Sequence, residues 1–144
     1  MRLPLASPYA AKMRSFGASP TLDDIEEIAR AALRALPPPF ADSLGAVVLQ
    51  VEEFADDATL RSLGIHDPFE LSGLYEGIPL PQQSVEQSGT LPERIRLFRG
   101  AILDEWASRD VSLEQLVRHI VVHEVGHHFG LTDDDIHALE ASAL

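Results

Sequence analysis

The chain of 144 residues contains no cysteine. This absence excludes disulfide bonds, thiol catalysis, iron–sulfur clusters and every zinc site built on thiolates. Because there is no cysteine, any bound metal ion must be held by histidine, aspartate or glutamate. The chain also has no stretch near the length of about 18 apolar residues that a transmembrane helix needs, so we expect no membrane span.

Basic residues are scarce as well, with 11 of them against 23 acidic residues and a net charge of −12. Nucleic-acid phosphates are bound through basic surfaces, so we expect no nucleic-acid partner. The hydrophobic share of 45% and the charged share of 24% are those of an ordinary globular protein. A chain of this length can bury one core without covalent staples, which predicts a single folded domain.

The first 20 residues differ in charge from the rest of the chain. They carry Arg2, Lys12 and Arg14 and no acidic residue. Prolines, a serine and Lys12 interrupt the continuous apolar stretch that a secretory signal requires. We therefore predict a flexible basic tail over residues 1–20, a folded domain over residues 21–144 and a cytoplasmic location; the alternative for the tail is a targeting segment.

Three segments carry helix signals. Each opens with a capping box, in which a Ser or Thr is followed three residues later by an acidic residue or Gln. The boxes are Thr21 with Asp24, Ser112 with Gln115, and Thr132 with Asp135. Pro37–Pro39 are expected to end the first helix, and Gly130 is expected to end the second as a left-handed cap.

Strand signals lie between the first two helices. Short apolar runs predict strands at Ala46–Phe54, Leu71–Tyr75 and Arg94–Arg99, and Ile102–Trp106 is expected to begin a helical turn. The Pro- and Gly-rich segment Gly77–Glu93 is expected to form a loop that borders the functional cleft or covers it as a lid.

The second helix carries the sequence His-Glu-Val-Gly-His. His123 and His127 lie four residues apart, on one helical face, so both imidazoles can reach one zinc ion. Glu124 lies beside the first histidine, where a carboxylate can accept a proton from a zinc-bound water. The alternative is that these histidines lie on a polar helix surface, and His119 one further turn back is compatible with that interpretation. The valines around the motif favour burial and hence a metal.

A zinc site that also binds a reactive water takes three protein ligands. Gly130 allows a sharp turn after the helix, and the returning chain can then present Asp133 to the ion. Aspartate is an acceptable zinc ligand. The other role open to Asp133 is to place negative charge, with Asp134 and Asp135, at the N-terminus of the last helix. The two roles are compatible.

The stretch HEVGHHFGLTDDD resembles the small bacterial zincin-like metallopeptidases, whose signature has the form HExxHxxGxxD. Gly73–Gly77 and Ile95–Gly100 are similar to segments that precede the signature in that family. The resemblance covers about residues 21–140. It implies an α+β class and a compact minimal zincin-like fold, in which a small mixed β-sheet packs on helices and the HExxH helix lies beneath it. It also implies zinc-dependent peptidase activity.

One feature departs from the true metzincins. Those proteins place a methionine in a turn under the metal, whereas this chain has no methionine after Met13. A compact relative of the metzincins therefore fits the sequence better.

These observations predict an enzyme that hydrolyses peptide bonds in a peptide or protein substrate. Zn²⁺ is the expected cofactor, His123, His127 and Asp133 are its expected ligands, and Glu124 is the expected general base. The strand at Arg94–Arg99 is expected to pair its free edge with an extended substrate. The alternative function is a metal-stabilised binding or regulatory module with little or no hydrolytic activity.

A few further residues carry weaker hypotheses. Tyr75 either stabilises an oxyanion or is a core tyrosine, and His128 either supports a metal ligand or is a satisfied helix residue. Gly126 is expected to allow close packing of another segment beside the metal. Three arginines either grip a peptide carboxylate or form the solvated face of a strand beside acidic neighbours, and the second interpretation is preferred. They are Arg94, Arg96 and Arg99.

Overall fold

The structure, a computed structural model, describes residues 16–77 and 93–142. Its helices are α1 (Leu22–Arg34), α2 (Pro38–Asp42), α3 (Asp57–Leu63), α4 (Arg99–Ser108), α5 (Leu113–Phe129) and α6 (Asp133–Ser142). Its strands are β1 (Val48–Glu52), β2 (Gly73–Glu76) and β3 (Arg94–Phe98), and a 3₁₀ turn occupies Pro68–Glu70. The predicted loop lies outside the described residues except for its two ends, Gly77 and Glu93.

The three strands form one mixed sheet in the order β1-β3-β2. β1 runs parallel to β3, with Leu49 opposite Ile95, and β2 runs antiparallel to β3, with Tyr75 opposite Ile95. The helices and this small mixed sheet confirm the predicted α+β class and the compact zincin-like fold.

β3 shows how the sheet divides the molecule. Ile95 and Leu97 point into the main core, which α1 and α5 complete with residues such as Ile25 and Val121. Because side chains alternate along a strand, Phe98 lies on the opposite face, where it packs in a second apolar cluster that includes Leu60 of α3. The long helix α5 is thus held against one face of the sheet by its apolar side.

The predicted capping boxes all form. Thr21 accepts a hydrogen bond from Asp24 N–H at 3.1 Å, Ser112 accepts one from Gln115 N–H at 3.1 Å, and Thr132 accepts one from Asp135 N–H at 3.2 Å. Gly130 ends α5 with a φ of 67°, in the left-handed region that favours glycine. The start of α5 and the turn that follows it therefore arise from local sequence.

Several elements differ from the sequence predictions. Pro37–Pro39 end α1 as expected, but Pro38 also opens the short helix α2, because the fixed φ of proline suits the first helical position. The helix α3 and the 3₁₀ turn at Pro68–Glu70 were not predicted. Arg99 begins α4 instead of ending a strand, and the turn expected at Ile102–Trp106 belongs to this longer helix.

The environment of β3 corrects two further predictions. β3 is the central strand, so it has no free edge for a substrate to pair with. Arg96 is only 5% exposed, so it is not on a solvated face. Its guanidinium forms ion pairs with Glu52, Asp56 and Glu76, at 2.7, 3.2 and 2.5 Å respectively. The expected acidic neighbours are present, and they enclose Arg96 because a buried charge needs partners.

The predicted close approach at Gly126 is present. A Cβ atom added there would meet Ile136 Cγ1 of α6 at 2.3 Å. A side chain at this position of α5 would therefore push α6 away. Glycine lets the last helix pack directly beside the segment that carries the histidines.

Candidate metal centre

Helix α5 brings His123, Glu124 and His127 into one group. One potential ligand atom from each residue lies within 4.8 Å of the others. The two imidazole rings are 4.7 Å apart between centroids, and His127 Nδ1 is 3.2 Å from Glu124 Oε2. In the described part of the chain, no other set of three His, Asp or Glu side chains is grouped as closely.

Glu124 is more deeply buried than His127 in this group. Its side chain is 8% exposed, whereas that of His127 is 48% exposed. Oε2 makes no hydrogen bond of acceptable geometry with any described residue, although the His127 ring nitrogen is near. A buried carboxylate oxygen that lies beside two imidazoles without a well-aligned hydrogen bond is costly unless a cation or a bound water satisfies it. The donor set therefore fits a divalent metal of the zinc type.

Strand β2 lies directly over Glu124. A Cβ atom at Gly73 would meet Ile120 Cγ2 at 2.6 Å and Glu124 Cγ at 3.5 Å, so glycine is required for this approach. The neighbouring Tyr75 contributes its backbone N–H, which donates a hydrogen bond to the Glu124 carboxylate. Sequence reasoning did not identify this strand as a wall of the site; a glycine inside a predicted strand was the available signal.

The pKa of Glu124 reflects this setting. Burial raises the pKa, and the electrostatic interaction with the two histidines, the hydrogen bond from the Tyr75 N–H and the side-chain contact with His127 act in the opposite direction. The balance leaves the pKa above its ordinary value. A carboxyl group with a raised pKa is better suited to accept and return a proton near neutral pH than an exposed one is.

His128 and Tyr75 meet on the side of α5 that faces β2. His128 is almost fully buried, and its Nδ1 lies 3.2 Å from the Tyr75 hydroxyl and 3.1 Å from Glu93 Oε2. Burial raises the pKa of Tyr75 to about 12, and the Glu93 charge adds to this effect. Tyr75 also packs against the main core, which is the default role expected for it. Tyr75 and Glu93, which precede and follow residues 78–92, thus both contact His128 of α5.

Two further candidates, Asp133 and His119, are not part of this group. Asp133 is the first residue of α6 and is exposed, and its carboxylate is not part of the group formed by α5. Its role as third ligand stays a prediction. His119 lies one turn before His123, but its Nδ1 is 2.5 Å from Glu140 Oε1. That contact with α6 gives His119 a partner outside the centre.

An α+β domain in which one helix presents two histidines and a glutamate beside a strand has the arrangement of a zincin. A family model described as Zincin-like metallopeptidase matches residues 44–143, which is more than half of the chain. The chain therefore belongs to the zincin-like metallopeptidase family. A comparison with curated proteins gave no match. Among the described residues, no helix combines the length and apolar character that crossing a membrane requires.

Proposed function

We propose that this protein is a zinc-dependent peptidase that hydrolyses peptide bonds in a peptide or protein substrate. The observation that carries the proposal is the group of His123, Glu124 and His127 on α5, with a buried carboxylate oxygen that no described residue satisfies. Membership of the zincin-like metallopeptidase family supports the same reaction class.

His123 and His127 would hold the ion through their imidazole nitrogens, and we propose Asp133 as the third ligand. Support for Asp133 comes from its position at the start of α6, three residues after Gly130, which caps α5. When bound, zinc would supply a Lewis acid that lowers the pKa of a coordinated water to about 7 and polarises the substrate carbonyl.

Glu124 would act as the general base and then as the general acid. Its carboxylate accepts a proton from the attacking water and then delivers it to the nitrogen of the departing amine. The hydrogen bond from the Tyr75 N–H holds one side of this carboxylate, and burial excludes bulk water from it. Glu124 is thereby kept in one orientation during both transfers.

An extended substrate would pair with β2 instead of β3. β2 lies against α5 at Gly73 and pairs with β3 along one edge, and no described strand pairs with its other edge. Main-chain hydrogen bonds to a strand edge align a peptide without regard to its sequence. This edge is therefore suited to place a peptide carbonyl next to Glu124.

The test is incubation of the zinc-loaded protein with a broad peptide library, with and without a chelator, and analysis of the products by mass spectrometry. We expect cleavage that the chelator abolishes and that added zinc restores. Zinc binding with no chelator-sensitive cleavage would contradict the proposal and would indicate the metal-stabilised binding module. The cytoplasmic location expected from the sequence stays a prediction.

A further inference from the structure

A small pocket adjoins the candidate metal centre. It has a volume of about 210 Å³, and its walls include His123 and Glu124 from α5 and Gly73 from β2. Arg109, Glu105 and His119 also line it. Pockets that hold whole drug-sized ligands are larger, at about 300–1,000 Å³, so this one suits a single side chain or chain end. Whatever fills it lies beside the group that would carry out hydrolysis.

Arg109 is the arginine of this pocket, which His119 and His123 also line, and its guanidinium is only partly engaged. It pairs with Glu105 of α4 through one nitrogen, at 3.0 Å, and its side chain is 49% exposed. A guanidinium has five N–H donors, so further donors remain for a ligand. Arg94, Arg96 and Arg99, by contrast, are each hydrogen-bonded to two or more groups of the chain itself.

We propose that Arg109 binds a carboxylate of the substrate in this pocket, and that the enzyme therefore prefers peptides with a carboxylate next to the scissile bond. This inference rests on the proposed peptidase function and assigns its substrate class. The carboxylate is either that of an Asp or Glu side chain or the C-terminal carboxylate of the peptide. Both present the same pair of oxygens to the planar guanidinium.

The acidic surroundings of the pocket explain why binding of such a substrate should depend on Arg109. The protein carries a net charge of −12, and Glu105 and Glu124 both line the same pocket. His119 also lines the pocket but is already in contact with Glu140, and His123 is a proposed metal ligand, so Arg109 is the side chain left to pair with an acidic group here. Glu105 competes with the substrate for the guanidinium, so its removal should strengthen the preference that removal of Arg109 abolishes.

Matched peptides and a matched variant test the proposal. One peptide series compares Glu with Gln, and Asp with Asn, in chains whose ends are blocked; a second series compares a free C-terminal carboxylate with the amide. The variants are Arg109→Gln, Glu105→Gln and the control Arg30→Gln. Arg30 forms an equivalent pair with Glu26 on α1, at 3.1 Å, with 51% exposure, and it does not line this pocket.

Two quantities are measured: kcat/KM of the zinc-loaded enzyme, and peptide affinity of the Glu124→Gln variant, which binds without turnover. We expect the wild type to prefer one carboxylate series about tenfold, with the difference mainly in KM. Arg109→Gln should lose this preference, Glu105→Gln should increase it, and Arg30→Gln should retain it. The series that responds identifies the source of the carboxylate.

Equal binding of carboxylate and amide peptides by the wild type would overturn the proposal, and so would a preference that survives in Arg109→Gln. A failure of the peptidase function has a different signature. In that case no peptide would be cleaved, while the Arg109-dependent binding preference would still be measured and would support the pocket assignment.

Discussion

At the scale of single residues, the identity of the proposed third metal ligand depends on where α6 begins. Asp133, Asp134 and Asp135 are consecutive, and Asp135 already closes the capping box with Thr132. Asp134 projects about 100° around the helix from Asp133, so the two carboxylates cannot point at the same ion. We predict that Asp133→Ala weakens zinc affinity by about ten- to a hundredfold or more.

The matched control for this prediction is Asp134→Ala, which removes the same charge from the next position and should leave zinc affinity nearly unchanged. Metal titration of the two variants is the measurement. An unaltered affinity in Asp133→Ala would refute the assignment and leave the two histidines completed by another carboxylate or by solvent.

At the scale of elements, the contact of α5 with α6 is set by Gly126. Alanine favours a helix over glycine by about 1 kcal/mol, but a Cβ there would overlap Ile136, and overpacking costs about 1–3 kcal/mol. Ile136 is 3% exposed and has little room to move. We predict that Gly126→Ala lowers the free energy of unfolding, measured by denaturant titration.

The control is the double variant Gly126→Ala with Ile136→Ala. Ile136→Ala alone should cost about 2–5 kcal/mol because it leaves a cavity. The added methyl group would partly fill that space, so the double variant should be more stable than the sum of the single effects indicates. Strictly additive effects would show that the close approach at Gly126 is not what limits this position.

The ion pairs of Arg96 give the sheet a pH dependence. Burial acts to raise the pKa of Glu76, but hydrogen bonds from Arg96 and Arg94 outweigh it and hold the pKa below its ordinary value of 4.5. A carboxyl group whose pKa is lowered in the folded state stabilises the fold above the unfolded pKa. This contribution is lost as the pH falls through the lower, folded value.

We therefore predict that Glu76→Gln lowers the free energy of unfolding by about 1–2 kcal/mol at neutral pH and reduces the loss of stability on acidification. Thermal unfolding at a series of pH values measures both effects. Glu53→Gln, which affects the exposed pair with Arg99, should change stability less. Parallel pH profiles for Glu76→Gln and the wild type would contradict this role of Glu76.

The elements also show what the sequence could and could not predict. The starts of α1, α5 and α6 were predictable because capping boxes are local. α3 was missed because it is short, and its single core residue, Leu60, gives no helical period. The central place of β3 was not predictable either, since strand order depends on pairing between distant segments, and the same pairing encloses Arg96.

At the scale of the candidate site, the histidines and Glu124 were predictable because four-residue spacing on one helix fixes their geometry. The contributions of β2 and Arg109 were not. They come from residues about 50 and 15 positions before the motif, and only folding brings them beside it. Gly73 and the pocket at Arg109 thus belong to tertiary structure.

At the scale of the whole molecule, the basic tail is expected to be dispensable for folding. The domain holds the chain at Ser19 and Pro20, whose side-chain and backbone oxygens bond to Arg99 at 2.8 and 2.6 Å. Deleting residues 1–18 keeps both contacts. We predict that this deletion changes Tm by less than about 4 °C and leaves zinc binding intact.

Deleting residues 1–20 is the comparison, since it also removes Ser19 and Pro20 and should lower Tm further. Thermal unfolding and zinc titration of both truncated proteins provide the measurement. A large loss of stability on deleting residues 1–18 would show that this segment is part of the fold.

We propose that Glu124 acts as the base of a zinc peptidase. The most direct test of this proposal is the turnover of one cleaved peptide by the wild type and by Glu124→Gln, at equal and verified zinc content. Glutamine keeps the shape of the side chain and leaves the histidines in place, but it cannot accept the proton. We predict that turnover falls by at least about a hundredfold. Wild-type rates in the zinc-loaded variant would contradict the proposal.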